Sequence, residues 1–450
     1  MLCCRFFSYF LTICFFLFNI VYIMSQNYNL SISPANHLAN ASVSYKNGNP
    51  VVRFEIGESN RVLLPSSIRL VGSYHVYSDA SRTTPVEADE LETPSNIGVY
   101  ATVDSLSFRT QRSKSEIETV HNYNRFMSAY MSGTTSLQDG VGHLNESALF
   151  APNPQFNKDT VVNNASTSTG NSFCVPLISG FTSSNNPYPL YTQGVEVTVQ
   201  LAPDSQVMFS SGTSSASFVD GFYEFSDLKL ICEVMDTGEA PSQAPITYEY
   251  NTITTFYNTI NSTNAQISLN LGQSRVLGVF GSFVPTNFIN NLTQNGLATL
   301  YPRKSATEVA QIEQLIFTRG GERFPLIYNL DTLQKSDPAD ESADPQLVRN
   351  YLNAIVEFSK LNRTCATPFN TKVMDDGTYG YKELLNGGAA GAGIGAAFDV
   401  ISGQGVDFSR VPFGIQMELD LDQDFPNALY LHVHSKQTLV ISGDTIQVVQ

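Results

Sequence analysis

The run Val195-Glu196-Val197-Thr198-Val199-Gln200-Leu201 alternates apolar and polar residues with a strict period of two. That period puts every second side chain on one face, as a half-buried strand requires and a helix cannot use. The same alternation recurs at Val51–Ile56 and at Ser67–Tyr77, where Ile68, Leu70, Tyr74 and Val76 share a face. Further strands are expected at Val99–Phe108, Phe173–Leu177 and Phe222–Val234. A short turn-rich stretch, Gly238–Pro245, then interrupts the pattern. It resumes at Tyr250–Tyr257, Ala265–Leu271 and Arg275–Val284, and again at Phe413–Leu419, Ala428–His434 and Thr438–Val449. Many short strands separated by Gly, Asn, Ser and Pro point to antiparallel sandwiches or jelly rolls.

The length of 450 residues accommodates two or three such units. The expected class is all-β, with two tandem jelly-roll domains and a few inserted helices. The expected division is a hydrophobic leader over 1–23, a first jelly roll over 24–237, a linker over 238–246 and a second jelly roll over 247–450. A hydrophobic content of 42% fills real cores. The absence of Trp has no evident reason.

Helical spacing enters in two places. Ile117, Val120, Asn124, Met127 and Met131 fall on one helical face, Ser113 with Glu116 has the form of a capping box, and Gly133 fits the stop. One helix is therefore expected over Ser113–Ser132. Asp344-Pro345 reads as a helix start, followed by a stripe from Leu347 to Val356. Gln311–Pro325 reads as a hairpin turning at Gly320-Gly321. The stretches Gly133–Asn171 and Gly387–Gly405 are expected to be long loops.

The net charge of −16 argues against bulk attraction to a nucleic-acid backbone. Arg109, Arg112 and Lys114, flanked by Glu116 and Glu118, read as a solvated face. Cys174, Cys232 and Cys365 are widely spaced and odd in number, and Cys3, Cys4 and Cys14 lie in the apolar leader. This pattern disfavours a disulfide framework. Met1–Ile23 has three readings: a signal peptide, a membrane anchor, or a product of placing the start upstream of Met24. The seven Asn-x-Ser/Thr sequons, at Asn29, Asn40, Asn145, Asn164, Asn261, Asn291 and Asn362, are no more than this Asn-, Ser- and Thr-rich composition yields by chance.

Four groups of residues resemble chemical sites without completing one. Gly391–Ala396 mimics a dinucleotide fingerprint but lacks the strand that should precede it. His432 and His434 share one face of a strand, with no third metal ligand nearby, and read as a partly exposed strand pair. Asp420, Asp422 and Asp424 have calcium-like spacing, but Phe425 and Leu431 occupy the positions where a calcium loop needs Gly and Glu. No Gly-x-Ser-x-Gly occurs, and His121 has no identifiable triad partners. No catalytic, cofactor-binding or metal residue is assigned, no cofactor is expected, and an enzyme is not the expected class.

The order of these features resembles the double jelly-roll major capsid proteins of polinton-like viruses, virophages and adintoviruses. Arg53–Tyr77 resembles the opening strands of that family's first jelly roll, and Phe173–Val234 its later strands. Tyr248–Pro285 is similar to the start of the second jelly roll. Gln311–Phe358 is similar to a strand-turn-strand and helix insertion within it. The leader Met1–Ile23 departs from the family pattern. The resemblance implies a capsid protein that forms pseudo-hexagonal homotrimers tiling an icosahedral shell around a DNA genome. It implies partners in other copies of the chain and in a penton or minor capsid protein. It implies a location in the virion after assembly in the cytoplasm or nucleus, no sequence-specific nucleic-acid binding, and a membrane only if the leader is real. The alternative is a secreted or cell-surface β-sandwich adhesin or lectin, using the leader as a signal.

Overall fold

The computed structural model describes residues 27–38, 41–45, 50–86, 93–94, 97–134, 171–184, 186–208, 221–236, 245–292, 294, 296–297, 299–306, 308, 310–325, 354, 372–373, 379–380, 393–398, 403–442 and 445–449. The leader, most of Gly133–Asn171, most of the linker and all but one residue of the expected Leu347–Val356 helix lie outside these residues.

The first half supplies β1 (Asn27–Ile32), β2 (Val51–Ile56), β3 (Arg61–Tyr77), β4 (Val103–Thr110), β5 (Glu116–His121), β6 (Asn171–Pro176), β7 (Tyr188–Pro189), β8 (Val195–Leu201) and β9 (Phe222–Asp236). Two antiparallel sheets result. One runs β1-β9-β3-β6, with β7 beside β3; the other runs β2-β8-β4-β5. Apart from the neighbours β4–β5 and β6–β7, successive strands switch between sheets, the winding of a jelly roll. The period of two decides which residues form the core. Val52, Phe54 and Ile56 of β2 and Val195, Val197 and Val199 of β8 have no exposed surface.

The second half supplies β10 (Ile246–Ile260), β11 (Asn264–Leu269), β12 (Val276–Pro285), β13 (Ile312–Arg319), β14 (Glu322–Arg323), β15 (Lys372–Val373), β16 (Tyr379–Gly380), β17 (Ile394–Ala397), β18 (Phe413–Leu419), β19 (Asn427–Ser442) and β20 (Thr445–Val449). Its sheets run β10-β19-β12-β17, with β20 beside β19, and β11-β18-β13-β14. The main path of each sheet repeats that of the first half, while β20 sits beside β19 where the first half has β7 beside β3, and β15 and β16 form a separate pair. Among the described residues, every strand pairing stays within one half. The expected hairpin turns at Gly320 and Gly321, whose positive φ of 60° and 89° suits glycine.

Three local expectations are corrected. Ser113–Ser132 is not one helix. Glu116–His121 forms β5, and helix α1 spans Tyr123–Thr134. Ile117 and Val120 lie three apart, which fits a helix, but pairing of β5 with β4 decides the outcome. Ser113 bonds Gln193 rather than capping a helix. Within Val99–Phe108, Gly98–Thr102 is a 3-10 turn before β4 starts. Within the Gly387–Gly405 loop, Ile394–Ala397 is the buried strand β17, paired with β12.

Candidate functional site at the junction of the two sandwiches

The two sandwiches meet where each exposes a sheet edge. β5 ends the first-half sheet and β10 ends a second-half sheet, and the two edges pack together. An edge strand leaves a row of backbone groups unpaired, and covering it removes that liability. Side chains do the covering here. Glu118 Oε1 accepts the N–H of Ile253 on β10 at 2.6 Å and that of Gly180 at 3.0 Å. Glu118 Oε2 accepts the N–H of Phe181 at 2.7 Å. One carboxyl thus holds the loop after β6 and the edge of the other sandwich. In return, Tyr250 Oη on β10 lies 2.7 Å from the carbonyl oxygen of Ile117 and 2.9 Å from Gln437 Oε1.

The approach of the two backbones is closest at Gly180. A Cβ there would lie 2.5 Å from the carbonyl carbon and oxygen of Asn251, and closer still to Thr252 Cα. Phe181 follows and packs against Phe108, Tyr188, Tyr248 and Tyr250, drawing rings from both halves. Asn186 Nδ2 donates to the carbonyl of Glu249 at 2.9 Å, and Tyr248 Oη donates to that of Asn186 at 2.8 Å.

Helix α1 makes the second contact. Phe126 sits against Phe280 of β12 and the ring of His432 on β19. Arg125 donates to the carbonyl of Gly296 and lies over the ring of Tyr430, while Ser128 donates to the carbonyl of Leu297. Burial pushes the Arg125 guanidinium below its ordinary range. All ten residues of β12 are buried, since its own sandwich covers one face and the neighbouring half the other. Most buried apolar residues of both halves form one continuous core, beside a small separate cluster of Val284, Phe288, Ala428 and Tyr430.

Glu118 was expected on a solvated face, and this is corrected: it is 2% exposed. No basic side chain forms an ion pair with it among the described residues. Burial pushes its carboxyl up to about 7, against the opposing pull of three backbone N–H donors and the Ser179 hydroxyl. The neighbouring cations are paired elsewhere. Lys114 bonds Glu196 at 2.6 Å, and Arg112 bonds Glu58.

The other sequence candidates stay apart. His432 and His434 are fully buried rather than partly exposed, because the face of β19 that carries them turns toward the first half, where Phe126 packs on the His432 ring. His434 Nε2 donates to Asn251 Oδ1 at 3.3 Å, and His432 Nδ1 lies 3.1 Å from Thr255 Oγ1. Burial lowers both imidazoles to about 3. Asp420 bonds Lys304 at 3.0 Å, while Asp422 accepts the N–H of Asp424, so the three aspartates do not converge. Among the described residues, no group of His, Cys, Asp and Glu is placed to hold a metal ion. Cys174 and Cys232 are free thiols. Among the described residues, no helix is long and apolar enough to cross a membrane. A cleft between Arg125, Gln206, Asn290 and Gln294 has about 10 Å³ of free space. That is room for one water, against about 300–1,000 Å³ for a small-molecule site.

No family model matches the chain, and no curated protein matches it in sequence. The solved structures are more informative. A crystal structure of PBCV-1 VP54, fitted into a reconstruction of the virophage Sputnik, aligns at a TM-score of 0.53 with 13% identity. That alignment covers 95% of this chain and 97% of that one. The chain has the double jelly-roll fold of viral major capsid proteins. The Sputnik virophage structure itself aligns at 0.51 with 12% identity, over 94% of this chain and 88% of that one. The faustovirus major capsid protein aligns at 0.50 with 10% identity, over 93% and 91%.

Proposed function

We propose that this chain is a viral major capsid protein with a structural rather than an enzymatic role. The observation that carries the reading is the duplicated strand order, with the two copies locked edge to edge, matched over 95% of the chain to a solved double jelly roll. Residues 24–237 and 247–450 are then the two jelly-roll domains, joined by the linker over 238–246.

The reading supplies a mechanism. Two sandwiches of the same topology in one chain give it two similar flanks. Three chains closing a ring through head-to-tail contacts would present six similar flanks, a pseudo-hexagonal tile. A tile needs a fixed angle between its sandwiches, and the side-chain bridges at Glu118 and Tyr250, with the docking of α1, supply one. The partners are further copies of the chain and a penton or minor capsid protein, and the location is the virion. The acidic chain would leave contact with the DNA genome to other proteins. A membrane enters only through the leader.

The test is imaging. Full-length protein and Met24–Gln450 would each be expressed, purified and examined by negative-stain electron microscopy. Hexagonal outlines or shells are expected from at least one. Dispersed single-chain particles from both, with folding verified by circular dichroism, would refute the reading.

A further inference from the structure

Arg125 carries a positive charge into the junction with no acid to meet it. It lies in the first turn of α1, and only 7% of its surface is exposed. Its guanidinium donates to the Gly296 carbonyl and lies over the Tyr430 ring. Among the described residues, no carboxylate pairs with it. Asp204, next to the cleft residue Ser205, is bonded by Arg82. Asp104 acts on His121 and Tyr430 rather than on Arg125. The first turn of α1 holds no acidic residue, so the positive end of the helix adds to the guanidinium. A buried charge without a counter-charge is costly, and an anion that reaches it is bound more strongly than in water.

Arg125 lines the cleft between the two halves. The first half supplies Arg125, Ser205 and Gln206; the second supplies Asn290, Gln294 and Gly296. Arg125 and Gly296 are buried, while Ser205 and Asn290 are exposed at the mouth, where Ser205 Oγ donates to Asn290 Oδ1 at 3.4 Å. Gln206 and Gln294 are half-buried, and their side-chain amides bond no other described residue. The free space of about 10 Å³ takes one particle the size of a water molecule. A chloride ion is only slightly larger, brings the missing charge, and accepts N–H groups from any side; a phosphate is too large. We propose that this cleft binds chloride, gripped by Arg125 and the amides of Gln206 and Gln294, and that the ion ties the first sandwich to the second. The inference concerns the single chain and does not rest on the capsid reading.

Thermal unfolding of the full-length protein tests it, with sodium chloride replacing sodium gluconate at constant ionic strength. Gluconate is too large for the cleft, and constant ionic strength removes general screening from the comparison. Wild type would be compared with Gln294→Glu, which puts a carboxylate in the cleft, where it pairs with Arg125 and displaces the ion. Gln266→Glu is the control, the same chemical change at an exposed position on β11. Chloride should raise the melting temperature of wild type and control in a saturable way, and this rise should be lost in Gln294→Glu. Chlorine-35 NMR measures the binding itself: excess line broadening is expected in wild type and control and should be lost in the variant. A wild type whose melting responds to chloride no more than that of Gln294→Glu would show that the cleft holds water only and would overturn the proposal. Broadening equal in wild type and variant would place the ion elsewhere and overturn it as well. If Gln294→Glu does not fold, Gln206→Glu reaches the cleft from the first half and is read in the same way.

Discussion

Gly180→Ala is the smallest change that tests whether the junction is as tight as it looks. The added methyl would lie 2.5 Å from the Asn251 carbonyl, where ordinary contact begins at 3.4 Å, so the neighbouring backbone must retreat by close to an ångström. Asn251 and Thr252 cannot move alone, because β10 is held along all fifteen residues by β19. The retreat therefore opens the junction and stretches the bonds that Glu118 makes to Gly180 and Ile253. Overpacking costs about 1–3 kcal/mol, and weakening two bonds to a charged or partly charged group adds about 2–3 kcal/mol. For a chain of 450 residues unfolding as a unit, one kcal/mol shifts the melting temperature by about 1 °C, so it should fall by at least about 3 °C. Gly57→Ala is the control, since nothing lies within 4 Å of its added methyl, and it should stay within about 0.5 kcal/mol of wild type. Thermal unfolding followed by circular dichroism gives both numbers. A Gly180→Ala protein that melts with the control would show that the two sandwiches are not in rigid contact there.

Three further outcomes follow from the packing. Phe126→Ala removes a fully buried ring that touches Phe280 and His432 across the junction. It should cost about 3–5 kcal/mol in urea unfolding. Arg82→Ala strands Asp204, which Arg82 bonds with Nη2 at 3.0 and 3.2 Å, and should cost about 3–5 kcal/mol. His432 and His434 contribute stability above the ordinary imidazole value of 6.5 that is lost as pH falls toward about 3. Each should withdraw about 1.4 kcal/mol per pH unit over that window, and His432→Phe should flatten the acid side of a stability–pH curve.

The strands were legible because alternation is a local property. Val52, Phe54, Ile56, Ile68, Leu70, Tyr74 and Val76 could be placed on buried faces from their spacing alone, and all are buried. The junction was not legible, because it depends on what arrives from far along the chain. Glu118 sits beside basic residues in sequence, yet its partner Ile253 is 135 residues away. The β5 segment satisfied a helical spacing through only Ile117 and Val120, and tertiary pairing with β4 overrode it. Ile394–Ala397 read as loop because it lies in a glycine- and alanine-rich stretch. Its pairing with β12 is close, since a Cβ on Gly278 would lie 3.0 Å from the Ala396 carbonyl oxygen. The two histidines looked half-exposed because a single strand does not reveal what packs on its face, here Phe126 from the first half.

The central claim is that two locked jelly rolls make one subunit of a closed ring. Mass in solution tests it most directly, by light scattering on protein emerging from a size-exclusion column. One chain is 49.4 kDa, so three are about 148 kDa. The account predicts a peak at that mass, or assemblies built from multiples of it, holding across dilution. A folded single chain of 49.4 kDa at the highest concentration reached would contradict it.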